Sequence, residues 1–166
     1  MPLIRANLVI GLNGMSRKAG SSRGLSSPAD RARFLELRRD ADVILIGGST
    51  YRDEPYSKCP LPLYVATRAK SANVGKVTFF NLSPAELINQ AKLDGFKKIL
   101  IEGGVNFILE PIKSSQIDEL YLTRTQVLGD SDKFDENDLS KNYKLTSETI
   151  EGIDRFEVWE RINQSR

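Results

Sequence analysis

Apolar residues along this chain fall into short unbroken runs separated by stretches with a helical period, and the two kinds alternate. Residues 4–10 read as a first strand, broken at Gly11-Leu12-Asn13-Gly14, where Asn-Gly favours a turn and the glycines permit close approach by a ligand. Residues 15–26 are basic and rich in Gly and Ser, and are expected to form a mobile loop. A helix start follows, with Ser27 as N-cap, Pro28 at the first helical position and Asp30 in the first turn, where an acid suits the helix dipole. Phe34, Leu35 and Leu37 supply apolar positions on that helix to about Arg39. Residues 42–46 read as the next strand, and the unbroken apolar run after Asp42 is the pattern of a parallel strand covered on both faces. Residues 63–66 and 77–80 read as further strands, and Ser83-Pro84-Ala85-Glu86 is a capping box ahead of a helix that ends near Gly95. A strand over 98–102, a helix over 105–112 and a strand over 118–125 complete an alternation that predicts an α/β architecture with right-handed crossovers. Residues 130–138 are acidic and read as a solvated connection. Residues 143–150, a turn containing Gly152, and residues 155–162 predict an antiparallel hairpin on the sheet edge, packed through Phe156, Val158 and Trp159.

Twice an apolar strand runs into paired glycines that can open a helix: Asp42-Val-Ile-Leu-Ile-Gly47-Gly48-Ser-Thr50 and Lys98-Ile-Leu-Ile-Glu102-Gly103-Gly104-Val-Asn106. Glycine lets backbone approach a ligand closely, and a following helix presents unpaired amides to phosphate. Either junction alone is equally well a tight turn. Open α/β sheets bind ligands beyond the carboxyl ends of their strands, so the pair predicts one sheet edge able to hold the two ends of a dinucleotide.

Composition narrows the chemistry. At 166 residues, with 40% hydrophobic and 28% charged side chains, the chain is long enough for one core and is read as one domain. A net charge of +2 gives no nucleic-acid footprint. There is no histidine, and Cys59 is the only cysteine, which excludes histidine triads, thiolate metal clusters and an intrachain disulfide. Cys59 lies in a Pro-rich stretch without a histidine partner and reads as a structural thiol. No apolar run approaches the about 20 residues that cross a bilayer, and no signal peptide is legible, so a cytoplasmic location is expected.

Several segments together carry a resemblance: Ile10-Gly-Leu-Asn13-Gly14, Leu37-Arg38 leading into the first glycine junction, Asp53-Glu54-Pro55, the second junction, and Ile117-Asp118-Glu119-Leu120. In this order they resemble the reductase domain of riboflavin biosynthesis, part of the dihydrofolate-reductase-like superfamily. The resemblance implies a three-layer α/β fold with a mostly parallel sheet, helices on both faces and a C-terminal antiparallel hairpin, assembled as a homodimer. It implies NADPH-dependent reduction of a ribosylamino-pyrimidine phosphate to its ribitylamino form. The cofactor would lie across Gly47, Gly48 and Thr50 at one junction and Gly103, Gly104, Val105 and Asn106 at the other. Asn13 and Gly14 would border nicotinamide and substrate, Asp53 would contact the sugar chain, and Glu102 would face the substrate. The chain departs from the family pattern where Asn13 replaces an aspartate, where the stretch from Thr50 to Pro55 is one residue shorter, and where a proline is missing around Gln126. Without histidine it cannot supply the ligands of the zinc deaminase that accompanies this domain in bifunctional riboflavin enzymes.

The residues themselves suggest further roles. Arg68 and Lys70, with Thr67 and Ser71 beside them, either bind the 2′-phosphate of NADPH or form a solvated basic turn. Arg17, Lys18 and Arg23 either close over a phosphorylated substrate or solvate their loop. Hydride transfer requires mainly positioning, with a proton from water, Asp53 or Glu102. Asp53 reads equally well as a turn cap or salt-bridge partner. Two other readings stay open. One is a pterin reductase, for which the first helix offers Asp30 and Glu36 as carboxylates. The other is a nucleotide-binding protein without catalysis.

Overall fold

The computed structural model describes residues 1–163. Its elements are β1 (Leu3–Ile10), β2 (Met15–Arg17), a single 3₁₀ turn (Ser22–Gly24), α1 (Pro28–Arg39), β3 (Val43–Gly47), α2 (Gly48–Asp53), β4 (Leu63–Ala66), β5 (Val77–Phe80), α3 (Pro84–Leu93), β6 (Lys98–Ile101), α4 (Val105–Lys113), β7 (Glu119–Arg124), β8 (Ser131–Lys133), α5 (Leu139–Asn142), β9 (Tyr143–Glu151) and β10 (Asp154–Arg161). Eight strands form one sheet in the order β5-β4-β3-β6-β1-β7-β10-β9. The first six pair in parallel, and the β9–β10 hairpin adds to β7 antiparallel.

Central strands bury both faces, as their unbroken apolar runs require. On one face Ile4, Ala6 and Leu8 of β1 join Val43, Leu45, Ile99, Ile101, Leu120 and Leu122 beneath α3 and α4. On the other, Leu37 and Ala41 at the end of α1 pack on Leu100 and Tyr121. Helix starts follow the capping chemistry of the sequence. Ser27 Oγ accepts from the Asp30 amide at 3.1 Å. At α3 the Ser83 hydroxyl accepts from the Glu86 amide while the Glu86 carboxylate accepts from the Ser83 amide, closing the capping box.

Three local expectations are corrected. Residues 15–26 are not a free loop: β2 pairs with β8, and the 3₁₀ turn follows it. Residues 130–138 are not wholly solvated, since they contain β8 and the buried Phe134. Each of these short strands finds its partner more than a hundred residues away in the chain, beyond the reach of local patterning. Leu35 is 38% exposed, because the face of α1 turned to the protein runs through Phe34, Leu37 and Arg38, at the i, i+3, i+4 spacing.

Candidate active site

A cleft of about 1080 Å³ opens at the carboxyl ends of β3, β4 and β6. β3 and β6 are paired neighbours, so the glycine junctions stand side by side, and the Gly47 amide donates to the Gly103 carbonyl at 3.4 Å. α4 starts directly after the second junction with Gly104 as its N-cap and no side chain closing it, which leaves its first-turn amides unspent. A Cβ on Gly104 would stand 3.3 Å from Thr50 Oγ1, and one on Gly48 would stand 3.2 Å from an Arg52 nitrogen and 3.3 Å from Thr67 Oγ1. Bare backbone, hydroxyls and an uncapped helix end make a donor set that fits the pyrophosphate of a nicotinamide dinucleotide.

Arg38 of α1 enters the floor of the cleft and holds Glu102 at both carboxylate oxygens, Nε to Oε1 at 2.6 Å and a terminal nitrogen to Oε2 at 2.7 Å. Tyr56 donates its hydroxyl to Oε2 at 2.9 Å. The Glu102 side chain is wholly enclosed. Arg38 also stacks over Phe34, 4.3 Å from the ring centroid, and lies 5.2 Å from that of Tyr56. Burial opposes the Arg38 charge, but the hydrogen bonds and attraction of Glu102 outweigh it and hold the guanidinium above its ordinary pKa. Burial, reinforced by Glu102, pushes the Tyr56 hydroxyl well above the usual tyrosine range. Glu102 therefore accepts hydrogen bonds from three donors on two side chains.

Over the mouth of the cleft, Arg17 bridges to Asp53 at 2.8 Å and to Asp132 at 3.6 Å. The hydrogen bond that Arg17 donates to Asp53 is the chief reason its pKa lies above the ordinary value. Glu54 fastens the neighbouring loop, accepting from the Ser22 amide at 2.7 Å and from the Ser21 and Ser22 hydroxyls at 3.0 Å. Arg23, Arg31, Arg52 and Arg68 also line the cleft, and none makes an ion pair among the described residues.

Most residues singled out in the sequence meet here. Gly47, Gly48, Thr50, Gly103, Gly104, Val105 and Asn106 line the cleft at the two junctions, Thr67 and Arg68 at the end of β4, and Arg17, Arg23, Asp53 and Glu102 elsewhere along its wall. Asn13, Gly14 and Lys70 do not line it. The Asn13 side chain is spent on Gly129, donating to its carbonyl at 2.8 Å and accepting from its amide at 3.1 Å. A Cβ on Gly11 would stand 2.5 Å from the Val127 carbonyl, so close approach at this turn serves the neighbouring backbone. Lys70 projects from the exposed loop after β4. Sequence reasoning gave no role to Arg38, Tyr56, Glu54 or Asn7. For Arg38 a signal existed, since it follows Phe34 at i+4 and Leu37 directly on the inward face of α1.

A family model described as the RibD C-terminal domain matches residues 2–154. The chain belongs to this family. Three solved structures similar to the chain are each under 25% identical and speak for the fold. A diaminohydroxyphosphoribosylaminopyrimidine deaminase/5-amino-6-(5-phosphoribosylamino)uracil reductase from Thermotoga maritima superposes with a TM-score of 0.77 at 13% identity over 97% of this chain. This chain spans 57% of that protein's length. A protein from Shewanella sp. PV-4 ascribed to riboflavin biosynthesis matches at TM-score 0.76 and 20% identity, over 96% of this chain and 98% of its own. A pyrimidine reductase-like protein from Corynebacterium diphtheriae NCTC matches at TM-score 0.74 and 18% identity, over 98% and 93%. No curated protein matches the chain. The RibD C-terminal fold is dihydrofolate-reductase-like, with a mostly parallel sheet, helices on both faces and a terminal antiparallel hairpin. Among the described residues, no helix is long and apolar enough to cross a membrane.

Proposed function

We propose that this chain is an NADPH-dependent reductase acting on a phosphorylated ribosylamino-pyrimidine of the 5-amino-6-(5-phosphoribosylamino)uracil type, which it converts to the ribitylamino form. Family membership supports the general reductase function. The observation that carries the finer reading is the cleft itself, where two bare glycine junctions and an uncapped helix start adjoin a side rimmed by Arg23 and Arg31, which make no ion pair among the described residues, and by Arg17, which is paired with Asp53 and Asp132. NADPH held at the two glycine junctions and the start of α4 would supply a hydride to the ribosylamino carbon. The ring oxygen released at that carbon takes a proton, and solvent at the cleft mouth provides it, because Glu102 is saturated by Arg38 and Tyr56. Glu102 is a positioning residue that fixes Arg38 in the floor, while Asp53 holds Arg17 over the mouth. Arg68 and Thr67 receive the 2′-phosphate.

The test is calorimetric titration with NADPH and NADH, followed by absorbance at the reduced nicotinamide band with the phosphoribosylamino-pyrimidine added. A preference for NADPH of roughly tenfold, about 1.4 kcal/mol, with substrate-dependent oxidation is expected. Absence of both overturns the reading. A reductase for a pterin is the second reading, favoured by one observation: Asp30 is a buried carboxylate that lines the cleft. Oxidation of NADPH by dihydrofolate, and not by the phosphorylated pyrimidine, would move it to the front. The homodimer is proposed on the resemblance alone, and sedimentation at micromolar concentration tests it.

A further inference from the structure

Buried polar atoms in folded proteins have hydrogen-bond partners, and an exception calls for an explanation. Asn7, in the middle of β1, is such an exception: it is 9% exposed, and its Oδ1 is enclosed without a partner. Other enclosed and unpartnered side-chain atoms occur on Arg33, Thr123, Tyr143 and Asp154, but of these residues Asn7 alone lines the cleft. Ala6 of β1 pairs with Ile101 of β6, so one step along the parallel strands Asn7 stands beside Glu102 on the sheet face from which Arg38 enters. Its neighbours there are already committed. Arg38, Glu102 and Tyr56 satisfy one another, and Arg5 is bound to Asp40. An internally neutral ion pair, the ring of Phe34 and a carboxamide whose oxygen is unpaired then make up a floor that suits a flat, uncharged, polar-edged ring.

We infer that Asn7 reads the heterocycle of the substrate, its carboxamide pairing with a cis-amide edge of the ring, the adjacent N–H and C=O of a pyrimidinedione. This deepens the reductase reading and rests on it. A carboxamide places one acceptor and one donor side by side, the complement of such an edge, and two parallel hydrogen bonds fix a ring's orientation as well as its identity. The carboxamide of the nicotinamide ring has the same chemistry. Asn7 is assigned to the substrate because it lies on β1, one strand beyond the two strands that carry the glycine junctions.

The full-length protein carrying Asn7→Leu, and separately Asn7→Asp, is compared with wild type in three measurements: kcat/KM for 5-amino-6-(5-phosphoribosylamino)uracil, calorimetric NADPH affinity, and Tm without ligand. Asn7→Leu is expected to lower kcat/KM about 100-fold, because the ring edge then enters a buried site unpaired. Asn7→Asp keeps the acceptor, loses the donor, and is expected to fall about tenfold or more. NADPH affinity stays within about twofold of wild type, the size of change left when no direct contact is lost. The Tm of Asn7→Leu rises, since an unpaired buried amide is exchanged for an apolar side chain of similar size. Should Asn7→Leu not fold, Asn7→Asp supplies the same comparison. Turnover by either variant equal to wild type overturns the inference while leaving the reductase reading intact. A loss of NADPH affinity matching the loss of kcat/KM also overturns it, and assigns the amide edge to nicotinamide. Wild-type protein that neither binds nor reduces the pyrimidine overturns the reductase reading and this inference with it.

Discussion

Arg38 of α1 and Glu102 at the end of β6 face one another as a two-point ion pair, guanidinium to carboxylate at 2.6 and 2.7 Å, with the acid wholly enclosed. The contact ties α1 to the strand end that leads into the second glycine junction. The position of α1 and the second glycine junction are thereby coupled through one pair of side chains.

Removing one partner strands a buried charge, which is far more costly than removing both. Arg38→Met is expected to destabilise the fold by about 3–5 kcal/mol. Arg38→Met with Glu102→Leu is expected to recover much of that loss, because neither charge remains. Urea unfolding of the two single variants and the double variant completes the cycle. A double variant no more stable than Arg38→Met would show that the pair is not a closed unit.

Tyrosines set the alkaline limit. An unfolded tyrosine loses its proton near pH 10, whereas burial and then Glu102 keep Tyr56 protonated well beyond that in the fold. Burial, with Asp94 adding to it, pushes Tyr64 up to about 12, and burial pushes Tyr143 to about 12. Above pH 10 the folded protein thus holds more protons than the unfolded chain. Stability is full below about pH 10 and falls as pH climbs toward the folded values, with Tyr56 contributing a slope of about 1.4 kcal/mol per pH unit. Tyr56→Phe is expected to lose about 1 kcal/mol at pH 7 with its hydrogen bond and to flatten the slope between pH 10 and 12 by one proton. Unfolding free energies at a series of pH values read both effects.

The sheet, its parallel strands and the capped helices were legible because each rests on local chemistry: an apolar run for β3, a Ser-Pro-Ala-Glu box for α3, paired glycines ahead of α4. What stayed hidden rests on chain segments far apart in sequence. β2 and β8 are three residues each and stabilise one another, so neither carries a period of its own. Arg38 and Glu102 lie 64 positions apart, and nothing around either names the other. Asn13 shows the opposite case, a motif position whose spacing is correct but whose amide is consumed by the backbone of Gly129. Asn7 was invisible for a simpler reason, since a polar residue inside a strand reads only as an interruption until the sheet face it occupies is known.

Cofactor selectivity is expected to reside in Arg68. It is exposed at the end of β4, lines the cleft, has no ion-pair partner among the described residues, and stands next to Thr67, whose Oγ1 closes on Gly48. A guanidinium there gains most from a doubly charged phosphate and little from a ribose hydroxyl. Arg68→Ala should weaken NADPH binding about tenfold, roughly 1.4 kcal/mol, and leave NADH binding nearly unchanged. The wild-type preference should also shrink as salt rises, because the contact is exposed. Equal losses for both cofactors would place Arg68 at the pyrophosphate instead.

Glu54 fastens the loop of Ser21 and Ser22 beside the cleft. Its carboxylate gathers the Ser22 amide and the Ser21 and Ser22 hydroxyls, so one side chain at the end of α2 holds the turn that carries Arg23. Hydrogen bonds to a charged acceptor are the stronger kind, and losing three of them frees the loop before it disturbs the sheet. Glu54→Ala is expected to raise the substrate KM about tenfold, the cost of ordering the loop anew at each encounter, roughly 1.4 kcal/mol. Affinity for NADPH should hold, because the glycine junctions and α4 are positioned by β3 and β6. Hydrogen exchange at the Ser22 amide should quicken by one to two orders of magnitude, matching about 1–3 kcal/mol of local protection, while amides of β1 and β6 keep their rates. A rise in KM without faster exchange at Ser22 would mean that Glu54 acts on the substrate directly and that the loop is held by the Arg17–Asp53 bridge.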